Sequence, residues 1–186
     1  NISGSANKKC FHFTYFINSP KNTKIMKAMM LTGIRQMEMK EVPAPALKKN
    51  RDVRIKMKAL GVCGSDIPRI NEFGAKTLPI IPGHEIAGQI VEIRGPQDGF
   101  NIGEKVTVIP LLPCYECKFC RVGQYSLCEN YSYYGSRRDG GFAQYLAIKK
   151  KNILKVPESI TYECAATIDP LANALHGLQQ ASLSPG

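Results

Sequence analysis

Four cysteines, Cys114, Cys117, Cys120 and Cys128, follow the spacing C-x2-C-x2-C-x7-C, and no other feature constrains this chain as strongly. Three thiols two residues apart, with a fourth one short loop later, can converge on one tetrahedral cation. Zinc takes four thiolates at about 2.3 Å in closed structural sites. An iron–sulfur cluster or a redox CxxC pair would use the same residue type. The redox pair leaves two thiols unexplained and normally follows a strand in a βαβ pattern, which the surrounding text lacks. A structural zinc lobe is therefore expected, clipping a loop into a fixed shape. Four thiolates leave Zn²⁺ with a net negative charge, which Lys118 and Arg121 in the same loop offset.

The 186 residues hold one full domain and at most the start of another. Apolar content of 44% and charged content of 22% are ordinary for a globular chain and argue against disorder. A net charge of +10 would suit nucleic acid, an anionic membrane surface or an acidic substrate. The lysines are spread, however, and Lys48-Lys49 and Lys149-Lys150-Lys151 are too short for a basic arm. Each cluster reads as a solvated face, so neither nucleic acid nor a membrane is expected as a partner. No apolar run approaches the roughly 20 residues of a membrane span. Residues 10–17, after Lys8 and Lys9, imitate a signal peptide but contain His12 and lack a small-x-small cleavage site. Cys10 and Cys164 look unpartnered, which fits a reducing cytoplasm better than secretion. Residues 1–25 differ in character and read as a poorly structured leader or extension, with Met26 a natural start for the domain.

From Lys27 onward short strands alternate with turn signals, at 27–31, 37–41, 52–60, 86–93, 105–109, 142–148 and 153–156. Residues 52–60 alternate best, with Val53, Ile55, Met57 and Ala59 on one face and Arg54, Lys56 and Lys58 on the other. Such spacing predicts an all-β barrel or sandwich core. Near Thr161 the text becomes rich in alanine and leucine, a helical run interrupted by Pro170 and ended by Ser184-Pro185-Gly186.

A second constellation follows the best strand. Gly61-Val62-Cys63-Gly64-Ser65-Asp66 and Gly83-His84-Glu85 each put a metal-binding side chain beside glycine at a strand edge. Alone, Cys63 reads as a small buried residue and His84-Glu85 as a surface pair. In one chain with the four-cysteine lobe, they read as a second metal centre.

These three segments, in this order, resemble the zinc-dependent medium-chain dehydrogenases, over residues 27–183. The resemblance implies a mainly β, GroES-like barrel with peripheral helices and a four-cysteine zinc lobe, over 26–163. Residues 164–186 would begin the helical link to a cofactor domain. It also implies two zinc ions, one structural in the lobe and one catalytic, the latter on Cys63 and His84 with Glu85 as a ligand or close behind. Polyol-type members add a glutamate before a proline that opens a helix. Asp169 stands there, one methylene shorter, and reads equally as a ligand or as an N-cap ahead of Pro170. Ser65 would relay the hydroxyl proton of the substrate, or simply form the turn. Arg137 or Arg138 would hold a substrate phosphate with its guanidinium fork, or remain an exposed loop charge.

The implied activity is oxidation of a hydroxyl in a small polyol or polyol phosphate, with hydride passing to NAD(P), in a protein that is a homo-oligomer when full length. No G-x-G-x-x-G dinucleotide fingerprint occurs in the 186 residues. The family places it just beyond this sequence, so a Rossmann domain is expected outside the chain, which would be a fragment or a truncated product. A rival reading from another class is a non-catalytic zinc-stabilised binding module, which predicts one zinc rather than two.

Overall fold

In the computed structural model, residues 25–48 and 52–181 are described. The expected leader lies outside them, with Cys10, apart from Ile25, which opens the first strand. The strands are β1 (Ile25–Gly33), β2 (Gln36–Pro43), β3 (Val53–Gly61), β4 (Glu85–Ile93), β5 (Lys105–Val108), β6 (Leu111–Leu112), β7 (Ser132–Tyr133), β8 (Tyr145–Ile148) and β9 (Ile153–Lys155). The helices are α1 (Asp66–Pro68), running straight into a wide turn over Arg69–Phe73, then α2 (Lys118–Arg121), α3 (Tyr162–Ala166) and α4 (Ile168–Gln180).

An antiparallel five-stranded sheet in the order β8-β3-β4-β5-β9 carries the core. The hairpin β1–β2 closes one side, joined to the rest through bridges from Ala28 to Ala143 and from Leu31 to Ile80. The pair β6–β7 flanks the four-cysteine loop. Val53, Ile55, Ile86, Ile90, Val106 and Ile148 are fully shielded from solvent at the centre. Burying each such side chain contributes about 1.5–3 kcal/mol.

Alternation along β3 holds only as far as Met57. A register shift between Met57 and Ala59 turns the strand, so Leu60 packs with Val53 and Ile55 in the main core. Ala59 instead joins Ala87, Val156, Ala165 and Ala166 in a separate cluster under α3. The strict period of two, which put Ala59 on the face of Val53, fails at this bulge because an extra residue flips the pleat.

Thr161, where the composition changes, is the N-cap of α3; its hydroxyl accepts the Cys164 N–H at 3.2 Å. Ala165 and Ala166 are buried against the barrel, so the boundary read at 163/164 falls inside a helix. Pro170 does not interrupt the second helix. It lies in the first turn of α4, where its missing N–H costs no intrahelical bond. The break comes instead at Thr167, whose hydroxyl donates back to the Cys164 carbonyl at 2.8 Å. α4 buries none of its residues, and Leu171, Leu175 and Leu178 are exposed. Among the described residues, no helix is long and apolar enough to cross a membrane.

Asn152 ties the end of the sheet to the lobe. Only 2% exposed, it donates through Nδ2 to the carbonyls of Ile109 at 2.9 Å and Leu111 at 2.8 Å. Removing that donor leaves two part-buried carbonyls without this partner. Asn152→Ala is expected to lower unfolding stability by about 2 kcal/mol, read as a shifted denaturant midpoint at constant m-value.

Candidate metal centres

The four lobe cysteines come together as the spacing predicts. One sulfur from each of Cys114, Cys117, Cys120 and Cys128 lies within 4.8 Å of the others. The Cys114 and Cys120 sulfurs stand 3.9 Å apart. Four sulfurs about 2.3 Å from a shared centre stand about 3.8 Å apart at tetrahedral corners, so the cluster has the dimensions of a zinc site. Backbone amides face the sulfurs: Cys117 N–H donates to Cys114 Sγ at 3.3 Å, and Cys114 N–H to Cys128 Sγ at 3.2 Å. Tyr115 makes this knuckle possible with a positive φ of 66°. Lys118 pairs with Glu129 at 3.2 Å, while Arg121 donates to the Glu116 carbonyl at 2.9 Å.

Amide donors from Cys120 and Glu129 lower the Cys117 thiol to about 6, whereas burial pushes Cys120 up to about 12. Burial thus opposes at Cys120 the ionisation that amide donors favour at Cys117, a conflict that a bound cation would relieve. Donor type, spacing and this conflict all fit a structural zinc.

The second centre is built by strand register. β3 and β4 are antiparallel, with Gly61 directly opposite Glu85. Cys63, two residues past the end of one strand, therefore meets His84, one residue before the start of the other. Ligand atoms of Cys63, His84 and Glu85 lie within 4.8 Å of one another. His84 and Glu85 are 5% and 8% exposed, so they are not the surface pair that the two residues suggest in isolation. The 135–141 loop docks on the residue before the histidine. Gly141 N–H donates to the Gly83 carbonyl at 2.9 Å, and Gly140 N–H to the Ile81 carbonyl at 2.7 Å. Gly135 packs so closely that a Cβ there would stand 2.6 Å from the Gly83 carbonyl oxygen.

Three residues not singled out from the sequence surround this trio. Asp66, fully buried, accepts the Cys63 N–H at 3.2 Å and the Arg69 guanidinium at 2.7 Å. Its Oδ1 also faces His84 Nδ1 at 3.7 Å, too long for a hydrogen bond. Among the described residues, His84 Nδ1 has no hydrogen-bond partner. The Tyr133 and His84 rings meet in a T-shaped contact, with centroids 5.5 Å apart. The signal for Asp66 was present in the Cys63-Gly64-Ser65-Asp66 text. Nothing in the Tyr131–Tyr134 stretch distinguishes Tyr133 from its neighbours, because its role comes from β7 packing beside Gly83-His84.

Burial raises the Glu85 carboxyl above its usual range, against the pull of His84. Burial likewise raises Asp169, again opposed by His84, and it raises the Tyr133 phenol with help from Asp169. Burial thus works against ionising the carboxyl donors unless a cation sits among them. A thiol, an imidazole with an orphaned nitrogen and a shielded carboxyl suit zinc.

The remaining expected site residues fall as follows. Asp169 borders the trio closely enough for its charge to act on Glu85 and Tyr133, but it stays outside the 4.8 Å group. It is not the N-cap either, because Thr167 occupies that position and Asp169 lies in the first helical turn. Ser65 is exposed, and its hydroxyl donates to Cys63 Sγ at 3.3 Å. Arg137 and Arg138 make their described contacts away from the trio. Arg137 stacks on Tyr131 at 4.0 Å and donates to its carbonyl at 3.3 Å. Arg138 donates to Ser132 Oγ at 2.9 Å and lies over Tyr134. Neither is a free loop charge, and the guanidinium that borders the trio is that of Arg69.

Residues 49–158 match the alcohol dehydrogenase GroES-like domain family. The chain belongs to that family. Galactitol 1-phosphate 5-dehydrogenase of Escherichia coli (strain K12) is 42% identical over 137 residues, covering 74% of this chain and 40% of that protein. L-threonine 3-dehydrogenase of Yersinia pestis (strain Pestoides F) is 40% identical over 142 residues, covering 74% and 41%. The crystal structure of galactitol-1-phosphate dehydrogenase from Escherichia coli superposes with a TM-score of 0.80 at 39% identity, covering 85% of this chain and 46% of that one. Acetophenone reductase from Geotrichum candidum, solved in complex with NAD, gives a TM-score of 0.78 at 29% identity, covering 89% and 50%. The chain thus spans about 40% of the length of these curated relatives. The mainly β GroES-like fold with its cysteine lobe is the one expected.

Two metal ions per chain are expected by elemental analysis, falling to one in Cys63→Ser with the lobe intact. One ion in the wild type would leave the trio without a role. At pH 7 metal binding to the lobe must strip protons from buried thiols such as Cys120, so protons are released. Acidification protonates these ligands, and affinity should fall steeply as pH drops through about 6, where Cys117 also protonates. Titration calorimetry in buffers of different ionisation enthalpy reads that release.

Proposed function

We propose that this chain is the catalytic domain of a zinc-dependent oxidoreductase that oxidises a secondary hydroxyl of a sugar alcohol, galactitol 1-phosphate, with hydride passing to NAD(P). The observation that carries the proposal is the pairing of two unlike centres: four thiols closed on themselves, and three donors of mixed type beside a half-buried tyrosine and an arginine–carboxylate pair. Three protein donors leave a coordination position for a reactant, which distinguishes a catalytic centre from a structural one.

A zinc ion held by Cys63, His84 and Glu85 would supply Lewis acidity that acidifies a substrate hydroxyl near neutral pH. The chain's own groups account for the rest. Ser65, exposed and hydrogen-bonded to the Cys63 sulfur, takes up the hydroxyl proton and passes it to solvent. Asp66 and Arg69 anchor the Cys63 backbone from beneath. Tyr133 packs against His84 and limits the space from which a substrate approaches. The carbinol C–H bond breaks with its electron pair going to the nicotinamide, the O–H proton leaves through Ser65, and a ketone remains. The hydride acceptor would be a nicotinamide dinucleotide, in a protein of the reducing cytoplasm.

Support for a phosphorylated sugar alcohol comes from the 42% identity to galactitol 1-phosphate 5-dehydrogenase, and the 40% identity to L-threonine 3-dehydrogenase names the competing substrate. The test is substrate profiling of the complete protein with galactitol 1-phosphate, sorbitol and L-threonine, each with NAD⁺ and NADP⁺. The expected result is a kcat/KM for galactitol 1-phosphate at least about tenfold above the others, abolished by Cys63→Ser. Preference for threonine or sorbitol would move the substrate within the family. No nicotinamide reduction with any alcohol would overturn the enzymatic reading.

A further inference from the structure

Gly61 ends β3 directly opposite Glu85, the first residue of β4. Directly opposed residues of an antiparallel pair present their side chains on the same face, with Cβ atoms about 5 Å apart. Here the approach is closer than a second side chain would allow. A Cβ built on Gly61 would lie 2.8 Å from the Glu85 Cβ and 3.0 Å from its Cδ, and would overlap Oε2. The Glu85 carboxylate therefore lies across the α-carbon of Gly61, in the volume that any other residue would fill. The backbone does not require glycine at this point, since Gly61 is not among the residues with positive φ. Gly74, Gly83 and Gly135, by contrast, serve left-handed backbone. From its berth over Gly61, the Glu85 carboxyl comes within 4.8 Å of the Cys63 and His84 donors.

We infer that Gly61 is a positioning residue for the catalytic centre: its missing side chain is what admits Glu85 as the third donor beside Cys63 and His84. This rests on the trio being a metal site. A methyl group at position 61 would turn the carboxylate out of the cluster and leave one thiolate and one imidazole, too few protein donors for a firmly held zinc. The effect would pass through Glu85, because the three heavy atoms nearest such a methyl group all belong to its side chain.

The experiment is a double-mutant cycle on the purified protein. The more labile metal equivalent is removed with a mild chelator and refilled with Co²⁺, whose single-thiolate charge-transfer band reports binding at Cys63. Gly61→Ala is expected to weaken Co²⁺ binding about tenfold, as loss of an orienting neighbour does at metal sites, with the lobe equivalent retained. Glu85→Gly is expected to weaken it similarly. In the Glu85→Gly background, Gly61→Ala should then cost nothing further, because the carboxylate it displaces is gone and no Cβ remains at position 85 to clash. Unchanged binding in Gly61→Ala, or the same additional loss in both backgrounds, would overturn the inference. A crystal structure of Gly61→Ala provides a second reading: the carboxylate turned away from Cys63 supports the inference, and the carboxylate still in place contradicts it. A wild-type protein that takes up no metal at Cys63 removes the metal site itself, whereas a filled site that is indifferent to Gly61→Ala removes only the role of Gly61.

Discussion

The antiparallel register of β3 against β4 is the constraint on which the site depends. Setting Gly61 opposite Glu85 brings the residue two places past one strand end next to the residue just before the other strand starts. Cys63 and His84, far apart in sequence, become neighbours without either strand bending towards a ligand. The fully buried faces of both strands hold that register, since a one-residue slip would turn Ile55, Ile86 and Ile90 out of the core. The glycine-rich 135–141 loop adds a second clamp by hydrogen bonding to the backbone just before His84. Core packing and site geometry are therefore one problem, solved by the same strand pair.

The two centres differ in how their charge is balanced. In the lobe, four sulfurs meet backbone amides and one another, and the burial of Cys120 opposes the ionisation that amide donors favour at Cys117. Such a cluster resolves its conflict by closing around a cation and has no donor to spare. In the trio, one sulfur, one imidazole and one carboxyl lie together, bordered by Asp66, Arg69, Tyr133 and Asp169. Its protein charge roughly cancels that of a divalent cation, which leaves the ion a stronger Lewis acid than one quenched by four thiolates. Under the proposed function, stability belongs to the first centre and chemistry to the second.

Much of this was legible from residue order. The strands read between Lys27 and Val156 fall close to where alternation and turn residues put them, while the two-residue strands β6 and β7 were not read. The lobe was legible because its ligands are local, so their spacing alone constrains their geometry. The trio was legible only in company, since neither Gly-Val-Cys-Gly nor Gly-His-Glu is decisive without the strand pairing that joins them. What escaped depended on tertiary packing. The bulge at Met57–Ala59 has no strong local signature, and it moved Ala59 into the cluster beneath α3. Pro170 reads as a breaker unless the helix is known to begin two residues before it. Arg137 and Arg138 look like free cations in a glycine-flanked loop, yet nearby aromatic and hydroxyl side chains claim them, while Arg69 borders the trio through Asp66.

The lobe and the trio together would let one chain hold two zinc ions in chemically different cages. Anomalous scattering from crystals at the zinc absorption edge addresses this most directly. Two peaks are predicted: one with four sulfurs at about 2.3 Å, the other with one sulfur at that distance and nitrogen and oxygen neighbours at about 2.0–2.2 Å. A single peak at the lobe, with nothing between Cys63 and His84, would contradict the account.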